Sequence, residues 1–150
     1  MRGPAAAALV AAVALCLRRR LLVATVVGTS MLPAYRPGER VLVRRRAPGL
    51  RVGDVVVVVS PDEAGDPDPR LLVKRVAALA GDPLADGAVV PRGTVVVLGD
   101  NGGYDSREFG PLPHAQVVGV VLRRLGGRDG RRPGAGESGV LCVRGREGGG

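Results

Sequence analysis

Residues 55–59 are five consecutive valines, and this run limits the fold more than any other stretch. β-branched side chains lose rotamer freedom in a helix and pack well on a pleated sheet. Five of them without alternation read as a strand buried on both faces. Similar runs surround it. LLVATVV (21–27), TVVVL (94–98) and VVGVVLRR (117–124) read as strands, with AVV (88–90) as a partner for TVVVL. LLVKRVAAL (71–79) reads as a strand or a short helix. RVLVRRR (40–46) alternates apolar and charged residues, as a half-buried strand does. The connections are rich in Gly, Pro and Asp, which mark turns. Only 2% of the chain is aromatic and it has no Trp, so the core must be built from Val, Leu and Ala. These features predict a mainly β fold, an antiparallel sheet or barrel-like domain over residues 21–125.

The flanks read differently. Residues 4–17, PAAAALVAAVALCL, form an uncharged apolar run. As a helix, fourteen residues span about 21 Å, short of a ~30 Å hydrocarbon core. The run ends in LRRRLL, which lacks the small residues of a signal-peptide cleavage site. A short N-terminal membrane helix over residues 1–20 is the preferred reading, and an interfacial helix the second. From Gly126 the composition turns to Gly, Arg and Glu, and residues 126–150 read as a disordered tail. The two cysteines, Cys16 and Cys142, fall in these two flanks, and no disulfide is expected between them.

The formal charge of +8 raises nucleic acid as a partner. Few aromatics are present to stack on bases, zinc-ligand spacing is missing, and the arginines are scattered in short clusters. No nucleic acid partner is expected. A membrane lipid surface suits the charge better. The acidic loop SPDEAGDPDPR lacks the calcium-loop pattern, so neither a metal nor another cofactor is expected.

Lys74 stands inside the apolar run LLVKRVAAL, and it is the chain's single lysine among 22 basic residues. Arg cannot lose its proton in a protein, whereas burial can make a lysine neutral. A neutral amine can take a proton from a serine hydroxyl. Of the four serines, Ser30 in VGTSMLP ends a strand behind a glycine and a small threonine, where a ligand can approach the backbone. The one histidine, His114, sits in a proline-flanked loop with nothing to mark it as a base. A strand-end turn alone would also account for Ser30.

Three stretches in order, GTSMLP, LVKRVAALAGD and LGDNGGYDSREFGPLP, resemble the serine, lysine and glycine–aspartate boxes of type I signal peptidases. These are membrane-bound Ser/Lys proteases that remove export signals. The resemblance covers residues 21 to 124. It implies Ser30 as nucleophile and Lys74 as general base, with the Ser30 N–H in the oxyanion hole. Gly28 and Thr29 fall on the oxyanion side, and Met31 and Pro33 match the substrate-side loop. Gly99, Asp100, Asn101, Asp105, Ser106 and Arg107 match the box that supports the site. The resemblance further implies precursors bearing signal peptides as substrates, cut after small residues. It implies a single-pass protein of the cell membrane with its catalytic domain outside the cytoplasm. Arg18–Arg20 follow the apolar run and argue for the opposite orientation.

Two positions depart from the family pattern. Many bacterial members carry a serine where this chain has Gly28, and another that orients the lysine where it has Gly103. Both changes remove a hydroxyl from around the Ser30–Lys74 pair. A fold that binds signal segments without cutting them is therefore the alternative to a serine endopeptidase.

Overall fold

The computed structural model describes residues 4–45 and 49–127. Seven strands form one antiparallel sheet: β1 (Leu21–Thr25), β2 (Glu39–Arg45), β3 (Val55–Val59), β4 (Leu71–Leu79), β5 (Thr94–Leu98), β6 (Leu112–Pro113) and β7 (Val117–Gly127). Their order across the sheet is β1-β2-β7-β3-β4-β5-β6. The sheet curls into a half-barrel, as the sequence predicts for a mainly β chain.

The five valines explain the curl's two-sided core. Successive side chains on a strand point to opposite faces. Val55 and Val57 join Ala24, Val26, Met31, Val41, Val43 and Val73 in one buried cluster. Val56 and Val58 join Leu72, Val76, Val95, Val97, Leu112 and Val120 in a second. The first cluster draws on β1, β2, β3 and β4, with Val118 and Val121 of β7 packed against it. On β2, Val41 and Val43 are buried while Arg40, Arg44 and Arg45 are exposed, as the alternation requires. Gly119 lets β7 pass close to β2, because a Cβ there would overlap the Arg44 carbonyl oxygen.

Two expectations change. AVV (88–90) makes no strand, only an isolated bridge between Pro83 and Val89. Three residues between turns are too few to sustain a ladder, and the short β6 takes the place beside β5 instead. LLVKRVAAL is a strand throughout, paired with β3 on one side and β5 on the other.

The N-terminal run forms the helix α1 (Pro4–Arg20), leading directly into β1. At 17 residues it reaches about 25 Å at 1.5 Å per residue. No helix among the described residues is long and apolar enough to cross a membrane. Leu9, Val10, Val13, Leu15 and Leu17 are all at least half exposed. Residues 128–150, which hold Cys142 and nearly all of the expected tail, lie outside the described residues; Gly126 and Gly127 are the end of β7.

Candidate active site

Ser30 sits in the loop between β1 and β2. The ladder closes the loop at its base, where Val26 N–H donates to Glu39 O and Gly38 N–H to Val26 O, each at 2.8 Å. Met31, 1% exposed, plugs the first cluster and leaves Ser30 at the rim. The Leu32–Pro33 peptide is cis, and Tyr35 N–H donates to Met31 O at 2.8 Å. The Arg124 guanidinium lies 4.7 Å from the Tyr35 ring centroid and donates to Ala34 O, holding the far side of the loop to β7. Thr29 is exposed, and Gly28 has φ +83°, a conformation that favours glycine over a side-chain-bearing residue. The hydroxyl missing at Gly28 is thus matched by a backbone shape that suits its absence.

Lys74 projects from the middle of β4, opposite Val56 of β3, on the face that carries Leu72 and Val76. It is 2% exposed. Burial lowers its pKa from 10.5, and Arg107 adds to the effect, while Asp105 and Glu108 oppose it. Burial thus shifts the balance at Lys74 toward the neutral amine.

The segment that follows β5 brings the two residues together. A Cβ on Gly103 would lie 3.4 Å from Ser30 Cβ and 4.0 Å from Lys74 Nζ. Ser30 and Lys74 therefore meet around a single glycine, which has φ +89°. Asn101 ties this segment to the serine loop. Its N–H donates to Ser30 O at 2.8 Å and its side-chain amide to Thr29 O at 3.3 Å. Gly99 permits that approach, since a Cβ there would overlap Gly102 O and come within 2.9 Å of Ser30 O.

Asp105 holds the segment in shape. It caps the short helix α2 (Ser106–Phe109), accepting from Arg107 N–H at 3.0 Å. Its other oxygen accepts from Gly99 N–H at 3.0 Å and from Arg107 Nη2 at 2.7 Å. Burial pushes its carboxyl up, but the Arg107 side chain and the Gly99 and Arg107 N–H groups outweigh this and hold it at about 2. Ser106 Oγ accepts from Val97 N–H at 3.0 Å, fastening α2 to β5.

Asp100 has a partner that sequence reading missed. Arg75, the residue after Lys74, donates to it twice, Nε to Oδ1 at 2.8 Å and Nη2 to Oδ2 at 2.7 Å. This bidentate pair clamps the lysine strand to the Gly99–Asn101 turn. The available signal was an arginine in one box and an aspartate in the other, two opposite charges without assigned partners. His114 lies elsewhere. Its N–H donates to Gly93 O at 2.9 Å, beside the start of β5, whereas Gly99 follows the end of that strand.

The curled antiparallel sheet thus brings a serine loop to a buried lysine. Residues 3–89 and 82–125 match the family model described as signal peptidase, peptidase S26, and the chain belongs to that family. It is 36% identical to the mitochondrial ATP-independent inner membrane protease subunit 1a of Arabidopsis thaliana, over 65% of this chain and 66% of that protein. It is 32% identical to the mitochondrial inner membrane protease subunit 1 of Xenopus tropicalis, over 65% of each. It is 30% identical to a probable thylakoidal processing peptidase 2 of Arabidopsis thaliana, over 64% of this chain and 35% of that protein. The chain thus spans just under two thirds of the inner membrane protease subunits and about a third of the thylakoidal one.

Proposed function

We propose that this chain is a membrane-associated serine endopeptidase that removes signal segments from precursor proteins after small residues, with Ser30 and Lys74 as its dyad. The observation that carries the reading is the meeting of Ser30 Cβ and Lys74 Nζ around Gly103, with the amine buried. Neutral Lys74 takes the Ser30 hydroxyl proton as Oγ attacks the scissile carbonyl carbon. The Ser30 N–H stabilises the resulting oxyanion. The Lys74 ammonium then returns the proton to the leaving amine, and the C–N bond breaks to give an acyl-enzyme. Water then attacks the acyl carbon as Lys74 takes its proton, the ester bond to Ser30 Oγ breaks, and Lys74 returns the proton to Oγ as the acid leaves. Asp105, Arg107, Asn101, Asp100 and Arg75 hold the parts in register. The relatives are by name a mitochondrial inner membrane protease and a thylakoidal processing peptidase, and the exposed apolar helix α1 supports a membrane location here. Arg18–Arg20 at its end suit the headgroup level, with the sheet domain on that side of the membrane.

A second reading rests on Gly28 and Gly103, which leave two hydroxyl-bearing positions of the family pattern without a hydroxyl. In that reading the fold binds signal segments without cutting them. One comparison separates the two. The full chain in detergent is incubated with a peptide carrying an Ala-x-Ala site, beside Lys74→Arg. The endopeptidase reading expects cleavage by the parent chain and a loss of about 10²–10⁴-fold in the variant, since Arg keeps the charge but cannot act as a base. Equal cleavage by both removes Lys74 from the mechanism, and cleavage by neither favours the binding reading.

A further inference from the structure

The reaction sketched above leaves one cavity unused. It measures about 420 Å³ and is lined by Asp62, Arg70, Leu72, Gly103, Tyr104 and Glu108. Its wall at Gly103 is the same glycine around which Ser30 and Lys74 meet, so the cavity adjoins the reacting groups. Its wall at Leu72 lies two residues before Lys74 on the same face of β4. Gly103 is shared by Ser30 and Lys74, and Leu72 sets the cavity against the strand that carries the lysine.

Its charges do not cancel. Arg70 is engaged by Glu63, with Nε 3.5 Å from Oε1 and the Arg70 N–H donating to Oε2. Asp62 accepts a 2.7 Å hydrogen bond from the Tyr104 hydroxyl, a neutral donor that leaves its charge in place. The Glu108 side chain has no hydrogen bond or ion pair among the described residues. Arg70 is the one cation of this lining and its ion pair is with Glu63, so the Asp62 and Glu108 carboxylates are left without an ion pair among the described residues, beside Leu72 and the Tyr104 ring. The Tyr104 ring is braced edge-on by Phe109, with centroids 5.0 Å apart. That combination suits a long side chain with an aliphatic stem and a cationic head.

The proton path fixes which part of a substrate would reach it. A general base that hands its proton to the leaving amine must have the leaving segment on its own side. We infer that this cavity is a specificity subsite for a lysine or arginine side chain in the first three residues after the cut. The assignment of side rests on the Ser30–Lys74 reading, while the preference for a cation rests on the cavity alone.

The test measures binding and cleavage separately. Ser30→Ala full-length chain in detergent is titrated with fluorescent peptides that carry an Ala-x-Ala site and either lysine or glutamine at each position around the cut. Lysine at one of the three following positions should tighten binding about five- to tenfold, an effect that shrinks in salt, as partly exposed ion pairs do. Glu108→Gln with Asp62→Asn should erase most of that ratio while leaving the glutamine peptides unchanged. Equal binding of the paired peptides, a ratio that survives the double change, a preference confined to positions before the cut, or no binding at all overturns the inference. Cleavage by the Ser30 chain is read independently. Cleavage without a lysine preference sinks the subsite and spares the endopeptidase, and the preference without cleavage does the reverse.

Discussion

Lys74 is the costliest side chain in the sheet to bury. A lysine 2% exposed among valines loses hydration that its charged form needs, and its pKa falls from 10.5 as a result. The unfolded chain then binds more protons than the folded one between the lowered value and 10.5, so stability rises with pH across that window. Lys74→Met should unfold at a higher temperature than the parent at pH 7, and the gap should close as the pH approaches 10.5. A thermal melt at several pH values reads this directly. In the parent, kcat/KM should climb with pH through the same lowered pKa, because only the neutral amine takes the serine proton. The sequence made Lys74 conspicuous because the chain uses arginine for every other basic residue. It could not expose Arg75 in the same way, since that arginine looks like its neighbours until Asp100 is placed beside it.

The elements show where local pattern suffices and where it fails. β3 followed from an unbroken apolar run, whereas LLVKRVAAL, interrupted by Lys74 and Arg75, left strand and short helix open until β3 and β5 paired with it. β6 and α2 did not follow from pattern, since two and four residues hold too little periodicity to read. α2 is fixed by Asp105 and Ser106, whose bonds to Gly99 and Val97 link residues 9 or fewer apart but depend on the tertiary turn, and β6 by its pairing with β5. The boxes around Ser30, Lys74 and Gly99 were legible as motifs, yet their meeting point at Gly103 was not. Gly99 is the sharpest test at this scale. Gly99→Ala puts a Cβ against Gly102 O and Ser30 O, backbone atoms that cannot swing aside. It should cost about 1–3 kcal/mol in chemical denaturation and lower peptide cleavage more than tenfold, by forcing the serine loop away. Normal stability with normal cleavage would mean that the close approach is dispensable.

For the whole molecule, α1 is the unresolved expense. It leaves Leu9, Val10, Val13, Leu15 and Leu17 exposed on a helix that meets β1 and β2 of the sheet. Lipid is the partner that suits such a surface, with Arg18–Arg20 at the headgroups. Leu9→Asp with Val13→Asp should reduce co-flotation with anionic vesicles by more than about tenfold, given ~2.5–3.5 kcal/mol for an aspartate at the centre of an inserted helix. Cleavage of a soluble peptide should be unaffected. Unchanged flotation would move the membrane contact elsewhere on the molecule.

The bond from Asn101 to Ser30 joins loops that follow β5 and β1, and four strands separate those two in the sheet. They touch only because the sheet has curled. A chain synthesised only through Lys74 therefore has not yet built the place where Ser30 and Lys74 meet. That meeting point is complete only once the segment after β5 has emerged and the half-barrel has closed.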